Sequence, residues 1–149
     1  MEGKIDKPDE QLEYLLTQVS FLKQRIINAS LKDLDITYIQ FVILAGTLEL
    51  GANEAIVTQQ DISDKRRLDK AMVSNVVKTL IEKGLMTRHT HPVDKRAYTL
   101  SLTNTGKEAA IKGKEIALDV DKSFFSGINK NAFLKALVTL LKNDGGSNE

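Results

Sequence analysis

Residues 68–103 have the sequence LDKAMVSNVVKTLIEKGLMTRHTHPVDKRAYTLSLT, and this stretch decides the fold. Asp69 can cap a helix, because a short side-chain oxygen accepts hydrogen bonds from the free N–H groups of the first turn. Gly84 follows Lys83 and supplies the left-handed residue that ends such a helix. Between them, apolar residues recur at three- and four-residue spacing and predict one apolar face: Met72, Val73, Val76, Val77, Leu80 and Ile81.

Two short strands are predicted after this helix, in Leu85–Thr90 and Ala97–Thr103. Alternate positions of the second strand are apolar, as a half-buried strand requires: Tyr98, Leu100 and Leu102. The connection His91–Arg96 contains a proline, which bends the chain, and two adjacent cations, Lys95 and Arg96. The order of helix, glycine, strand, basic turn and strand predicts a recognition helix followed by a β-wing, with duplex DNA as the partner.

The predicted DNA contacts lie on the polar helix face and at the wing tip. Short side chains let a helix enter the major groove, where Asn pairs with adenine and Ser with several base edges; Lys78 suits a phosphate contact better. An Arg on a hairpin can enter the narrow minor groove, and Asp94 could hold the guanidinium of Arg96 by a charge-assisted bond. The helix-face residues are Lys70, Ala71, Ser74, Asn75 and Lys78. Taken singly, the helix also fits an ordinary amphipathic surface helix, and the loop a plain solvated hairpin.

The combined pattern L-x-x-K-G-L-x-x-R and D-K-R-A-x-x-L-x-L-T-x-x-G resembles the MarR (multiple antibiotic resistance regulator) family of winged-helix transcription factors. The resemblance covers roughly residues 36–110. It implies one domain, 1–149, that is mainly α with a small β-wing. A winged helix-turn-helix lobe would span 36–103, and a helical dimerisation region would come from both chain ends, 9–35 and 104–142. The matching residues are Leu80, Lys83, Gly84, Leu85, Arg88, Asp94, Lys95, Arg96, Ala97, Leu100, Leu102, Thr103 and Gly106.

The resemblance also implies a function. The chain would be an obligate homodimer that binds double-stranded DNA at a pseudo-palindromic operator as a transcriptional regulator, with a repressor favoured. Arg96 would enter the minor groove with Asp94 as its orienting partner. A small aromatic effector would bind between the dimerisation region and the DNA-binding lobe and release the DNA. Four residues could line that crevice, although a plain core role explains them more simply: Tyr14, Phe41, Leu44 and Leu48.

The sequence departs from the family pattern before the recognition helix. An apolar residue followed by Gly is usual at this turn, and Arg66 and Arg67 stand there instead. Arg67 would be costly in a left-handed conformation, so a reshaped turn is one expectation. Alternatively, the three cations Lys65–Arg67 add phosphate contacts, together with Arg88. Asn75 stands where Arg is frequent, which predicts an unusual base preference.

The flanking segments predict helices with wide apolar stripes. Helices are expected over 9–30, from Thr37 to before Gly51, from a capping box at Thr58, from Thr103 to about Phe125, and near the C-terminus. Ile56 and Val57 predict a short third strand. The apolar stripes at both ends exceed what a small lobe can cover and favour an intertwined dimer; a monomeric helical layer is the alternative.

Composition limits the other interpretations. The net charge is only +1, but residues 58–100 have nine Lys or Arg against five Asp or Glu, whereas the rest has twelve against fifteen. The absence of cysteine excludes disulfides, a thiol redox sensor and cysteine-ligated zinc. No secretory or membrane-spanning stretch is visible, which predicts a cytoplasmic protein.

No motif for a cofactor, a metal site or catalysis is recognisable. His89 and His91 alternate on a strand, but two histidines without a third ligand make a weak metal site; phosphate neighbours or solvated bystanders fit them better. The sequence thus predicts a protein that is not an enzyme. The alternative to a DNA-binding regulator is a winged-helix protein-interaction module without DNA binding.

Overall fold

The computed structural model describes residues 7–53 and 56–145, and helices dominate it. In chain order the elements are α1 (Pro8–Ser30), a 3-10 turn (Lys32–Leu34), α2 (Tyr38–Asn53), α3 (Gln59–Arg66), α4 (Lys70–Glu82), β1 (Met86–Thr90), β2 (Tyr98–Leu102), α5 (Asn104–Phe124) and α6 (Lys130–Gly145). This order confirms the predicted fold class, which is mainly α with a small β-wing after the fourth helix.

Side-chain caps fix where the central helices begin, as the sequence predicts. Thr58 and Asp61 form a reciprocal capping box at α3, with N–O distances of 3.2 and 2.9 Å. The carboxylate of Asp69 accepts from the N–H of Met72 at 3.1 Å and begins α4. Gly84 follows α4 with a φ of 75°, the left-handed conformation expected there.

The wing is a two-stranded antiparallel sheet in which Arg88 pairs with Leu100. The expected third strand at Ile56 and Val57 is wrong, because pairing there is reduced to one bridge between Thr58 and Thr99. Thr58 already caps α3, so the chain turns into the helix before a ladder can extend. The carbonyl of Val57 still accepts from the N–H of Leu100 at 2.8 Å.

The hydrophobic core surrounds α2, which packs against α3, α4, α5 and β2. This helix continues to Asn53 and does not stop before Gly51 as expected. One close approach joins α5 to the start of the wing, since a Cβ on Gly106 would lie 1.9 Å from the carbonyl oxygen of Leu85. The most deeply buried side chains are Ile27, Leu31, Ile43, Leu44, Ile62, Val73, Val77, Leu80 and Met86.

The end helices keep much apolar surface in contact with solvent in a single chain. The exposed apolar side chains of α1 are Leu12, Tyr14, Leu15, Leu16, Val19, Phe21, Leu22 and Ile26, and those of α6 are Leu134, Val138, Leu140 and Leu141. So many exposed apolar side chains on two helices favour an interaction surface. No helix in the described ranges has the length and apolarity needed to cross a membrane.

Candidate nucleic-acid interface

The recognition helix α4 separates its apolar and polar faces sharply. Val73, Val77 and Leu80 are buried against the rest of the lobe. The opposite face exposes every predicted base- or phosphate-contacting side chain: Lys70, Ala71, Ser74, Asn75 and Lys78. The helix is therefore anchored by one face, and its short and basic side chains are available on the other.

The wing tip presents Arg96 almost entirely to solvent, with 95% of its side chain exposed. The carboxylate of Asp94 accepts from the backbone N–H of Arg96 at 3.1 Å, and the same oxygen lies 3.5 Å from the Nε of Arg96. The predicted proximity of these two side chains is thus present in the free protein. Lys95 between them is also exposed.

His91 organises the same loop through its ring. Its Nδ1 accepts from the backbone N–H of Val93 at 3.1 Å and from that of Asp94 at 3.0 Å. Backbone bonds close the loop behind it: the N–H of His91 donates to the carbonyl of Ala97, and the N–H of Ala97 to that of Asp94. The position of His91 in the sequence indicates a phosphate neighbour or a solvated bystander and gives no sign of this role.

The turn between α3 and α4 is not reshaped, because Arg67 adopts the left-handed conformation with a φ of 51° and a ψ of 46°. A non-glycine residue in this region costs about 1–2 kcal/mol. The N–H of Leu68 donates to the carbonyl of Ser63 across the turn. The side chain of Arg67 pairs with Asp144 of α6, with a distance of 2.9 Å between Nε and Oδ2.

The other two cations of this turn are paired with α2. Glu49 accepts from the guanidinium of Arg66 at 3.2 Å, and its second oxygen lies 3.6 Å from the Nζ of Lys65. The side chain of Arg66 passes close to Gly46. A Cβ added at Gly46 would be 3.0 Å from the Nε of Arg66. Within the described ranges that buried Nε has no hydrogen-bond acceptor. The acidic partners Glu49 and Asp144 could not be predicted from the sequence, because pairing between distant residues leaves no local signal.

Arg88 lies on the wing sheet, where its guanidinium carbon is 4.5 Å from the centre of the Tyr98 ring. A cation over an aromatic face is attracted to the ring quadrupole. This contact orders a side chain that would otherwise be free on an exposed strand. Arg88 is thus held on the sheet, whereas Arg96 extends from the tip.

The four residues considered for an effector crevice lie in different surroundings. A cavity of about 290 Å³ lies between α2 and α5, and Leu48 and Glu49 line it. Phe41 and Leu44 belong to the buried core, and Tyr14 is exposed on α1, so these three do not line the cavity. Among the described residues there is no cluster of three metal-ligating side chains.

A capped helix-turn-helix, a recognition helix with an exposed polar face and a hairpin with an arginine at its tip define a winged helix-turn-helix protein. Residues 36–98 match the model of the MarR family. The chain is also 34% identical over 143 residues to an HTH-type transcriptional regulator of Bacillus subtilis, YdcH, a match that covers 95% of this chain and 97% of that protein. The chain therefore belongs to the MarR family and is a transcriptional regulator, not an enzyme.

Solved structures share the fold. A mutant of MarR from E. coli in complex with operator DNA superimposes with a TM-score of 0.77 at 23% identity, covering 91% of this chain and 98% of that one. BpsR from Bordetella bronchiseptica, whose DNA binding is regulated by 6-hydroxynicotinic acid, superimposes with a TM-score of 0.78 at 25% identity, covering 94% and 96%.

Proposed function

We propose that this regulator binds a pseudo-palindromic operator as a homodimer and represses transcription. Lys70, Ala71, Ser74 and Asn75 would contact bases in the major groove, with Lys78 on a phosphate. Arg96 would enter the minor groove, oriented by Asp94, with Lys95 beside it. The observation that supports this most strongly is the exposed polar face of α4, whose opposite face is locked into the core.

The apolar surfaces of α1 and α6 support the homodimer. They lie in the chain ends, 9–35 and 104–142, which we propose as the dimerisation region, with 36–103 as the DNA-binding lobe. A two-fold dimer presents two identical recognition helices, and these match half-sites about one helical turn apart. Two lobes on one duplex would also raise the DNA affinity of a protein whose net charge is only +1.

Phosphate contacts are proposed for Lys65, Arg66, Arg67 and Arg88, with unequal contributions. Lys65 and Arg66 share Glu49, so a phosphate would compete with a carboxylate for them. Arg67 has a comparable competitor in Asp144. Arg88 is ordered by Tyr98 without an acidic partner in the described ranges, so it needs to give up no ion pair.

An effector is proposed to bind the cavity between α2 and α5 and to weaken DNA binding. Leu48, Ala110 and Ile111 make the cavity apolar, which suits a small aromatic ring. Glu49 belongs to the cavity wall and also pairs with α3, so a ligand there would touch a residue that supports the helix-turn-helix. By linkage, such a ligand and the DNA would weaken each other's binding by the same factor.

The test is selection of random duplexes by the purified protein, with its mass measured by light scattering. Enrichment of a pseudo-palindrome by a dimer is the expected result. Retained dimerisation without enrichment at low salt would overturn the proposal in favour of a protein-interaction module. The ion pairs of Lys65 and Arg66 with Glu49, which reduce the positive charge beside the recognition helix, are the observation that favours this second candidate.

A further inference from the structure

The wing tip is held together by two linked side-chain acceptors. The Nδ1 of His91 accepts from Val93 and Asp94, and the Oδ1 of Asp94 accepts from Arg96. Each acceptor fixes backbone N–H groups two or three residues ahead of it. The position of Arg96 therefore depends on Asp94, and the backbone of Asp94 depends in turn on His91.

We propose that His91 is a positioning residue for the wing arginine, and that it acts only while its ring is neutral. A nitrogen accepts a hydrogen bond only when it has no proton, so Nδ1 is bare and the single proton lies on Nε2. In the charged ring both nitrogens donate. Protonation would therefore leave the N–H groups of Val93 and Asp94 without this acceptor and loosen the tip.

The sign of the resulting pH dependence distinguishes positioning from direct contact. Histidine changes its charge between about pH 5 and pH 8. If His91 positions Arg96, acidification weakens DNA binding. If it touches a phosphate directly, acidification adds a positive charge beside an anion and strengthens binding. The two roles thus predict opposite slopes.

The other charged and titratable groups of the wing are few. Asp94, Lys95 and Arg96 belong to the tip, and Arg88 and His89 to β1, while β2 contributes Tyr98. His89 is the other of the two histidines in the sequence, and its Nε2 is 3.2 Å from the hydroxyl of Thr87 on its own strand. Its hydrogen bond lies outside the tip, which makes His89→Gln a matched control.

The inference rests on the proposed DNA-binding role of the wing, but one measurement is independent of DNA. Nitrogen NMR of the imidazole rings in the free protein reports which nitrogen has the proton. We expect the Nε2–H form for His91 at about pH 8. A ring with its proton on Nδ1 would overturn the proposal even if the protein binds DNA as proposed.

The second measurement compares operator affinity at about pH 8 and about pH 5.5, the range in which histidine titrates. In wild type and in His89→Gln, we expect affinity to fall by roughly threefold to tenfold on acidification, the range that one or two hydrogen bonds are worth. His91→Asn should abolish most of this fall, because an Asn side-chain oxygen accepts from the same positions and does not titrate. His91→Ala should bind weakly at both pH values.

Three outcomes would overturn the positioning role. The first is tighter binding on acidification that is lost in His91→Asn, which indicates a phosphate contact. The second is a pH effect that disappears in His89→Gln. The third is an affinity of His91→Ala equal to that of wild type at about pH 8. If wild type binds no duplex at either pH while the NMR result holds, the proposed function fails and the structural role of the ring stands.

Discussion

Two basic segments of this molecule differ in how their charges are held. In the helix-turn-helix turn, Lys65–Arg67 pair with Glu49 and Asp144, which are distant in sequence. At the wing tip, Arg96 is held by Asp94 two residues away and is otherwise exposed. A phosphate must compete with Glu49 or Asp144 of distant helices for the turn cations, whereas the carboxylate beside Arg96 belongs to the same loop and leaves 95% of the Arg96 side chain exposed. Equal charge in the sequence therefore does not mean equal availability for DNA.

The largest expected effect is at the wing. Arg96→Ala should lower operator affinity by about tenfold to a hundredfold per protomer, because hydrogen bonds from a charged donor contribute about 1.5–3 kcal/mol. The slope of log affinity against log salt should also decrease by about 0.9 for each protomer. Titrations at several salt concentrations measure both quantities, and light scattering should show an unchanged mass.

Lys65→Gln is the matched control for that experiment. It removes one cation that already shares Glu49, so its salt slope should change less than that of Arg96→Ala. If the salt slope and the affinity decrease equally in both variants, the turn cations are as available to DNA as Arg96, and the proposed difference between the two segments is wrong. An unchanged affinity after Arg96→Ala would remove the wing from the interface altogether.

A smaller effect is expected from the left-handed conformation of Arg67. Arg67→Gly and Arg67→Ala both lose the pair with Asp144, but only glycine adopts a φ of 51° without strain. The glycine variant should be more stable to urea than the alanine variant by about 1 kcal/mol. Unfolding at one fixed protomer concentration measures this, and equal stability would mean that the turn relaxes in the alanine variant.

The smallest effect concerns Asp144. The pair with Arg67 is about half exposed, at 50% and 57%, so it contributes little to stability. Asp144→Asn should free Arg67 for phosphate and tighten DNA binding by roughly twofold to fivefold at low salt, the range of about 0.5–1 kcal/mol for an exposed pair.

The double variant tests the cause of that gain. Asp144→Asn in an Arg67→Gly background should have no further effect on affinity, since the cation that the carboxylate engages is gone. If Asp144→Asn still tightens DNA binding in the double variant, the cause is general repulsion between the Asp144 carboxylate and DNA.

Local patterns predicted most of this fold. Apolar spacing, Asp69 and Gly84 define α4, and the capping box at Thr58 defines α3, because caps and stripes act within a few residues. The third strand was wrong because the same Thr58 ends the pairing. The exposed face of α4 also followed from spacing alone.

The surroundings of the turn cations could not be predicted. Glu49 and Asp144 reach Arg66 and Arg67 only after α2 and α6 have packed. The sequence showed that Arg67 is unusual at a position where glycine is common, but it offered two outcomes. Those outcomes were a reshaped turn and added phosphate contacts. The turn is not reshaped: Arg67 keeps the left-handed conformation, and its side chain pairs with Asp144. Likewise, the hydrogen bonds from the backbone N–H groups of Val93 and Asp94 to the ring of His91 could not be predicted from residue spacing.

The contact between Gly106 and Leu85 has a mechanical consequence. A methyl group at Gly106 would overlap the carbonyl oxygen of Leu85, so the base of the wing lies directly against the first turn of α5. With 21 residues, α5 is a lever about 30 Å long. If α5 tilts by about 5° about its C-terminal end, the wing base at its N-terminal end moves by about 3 Å, which is about half the rise of one helical turn. In the dimer that we propose, a tilt of α5 would therefore move the wing relative to the DNA.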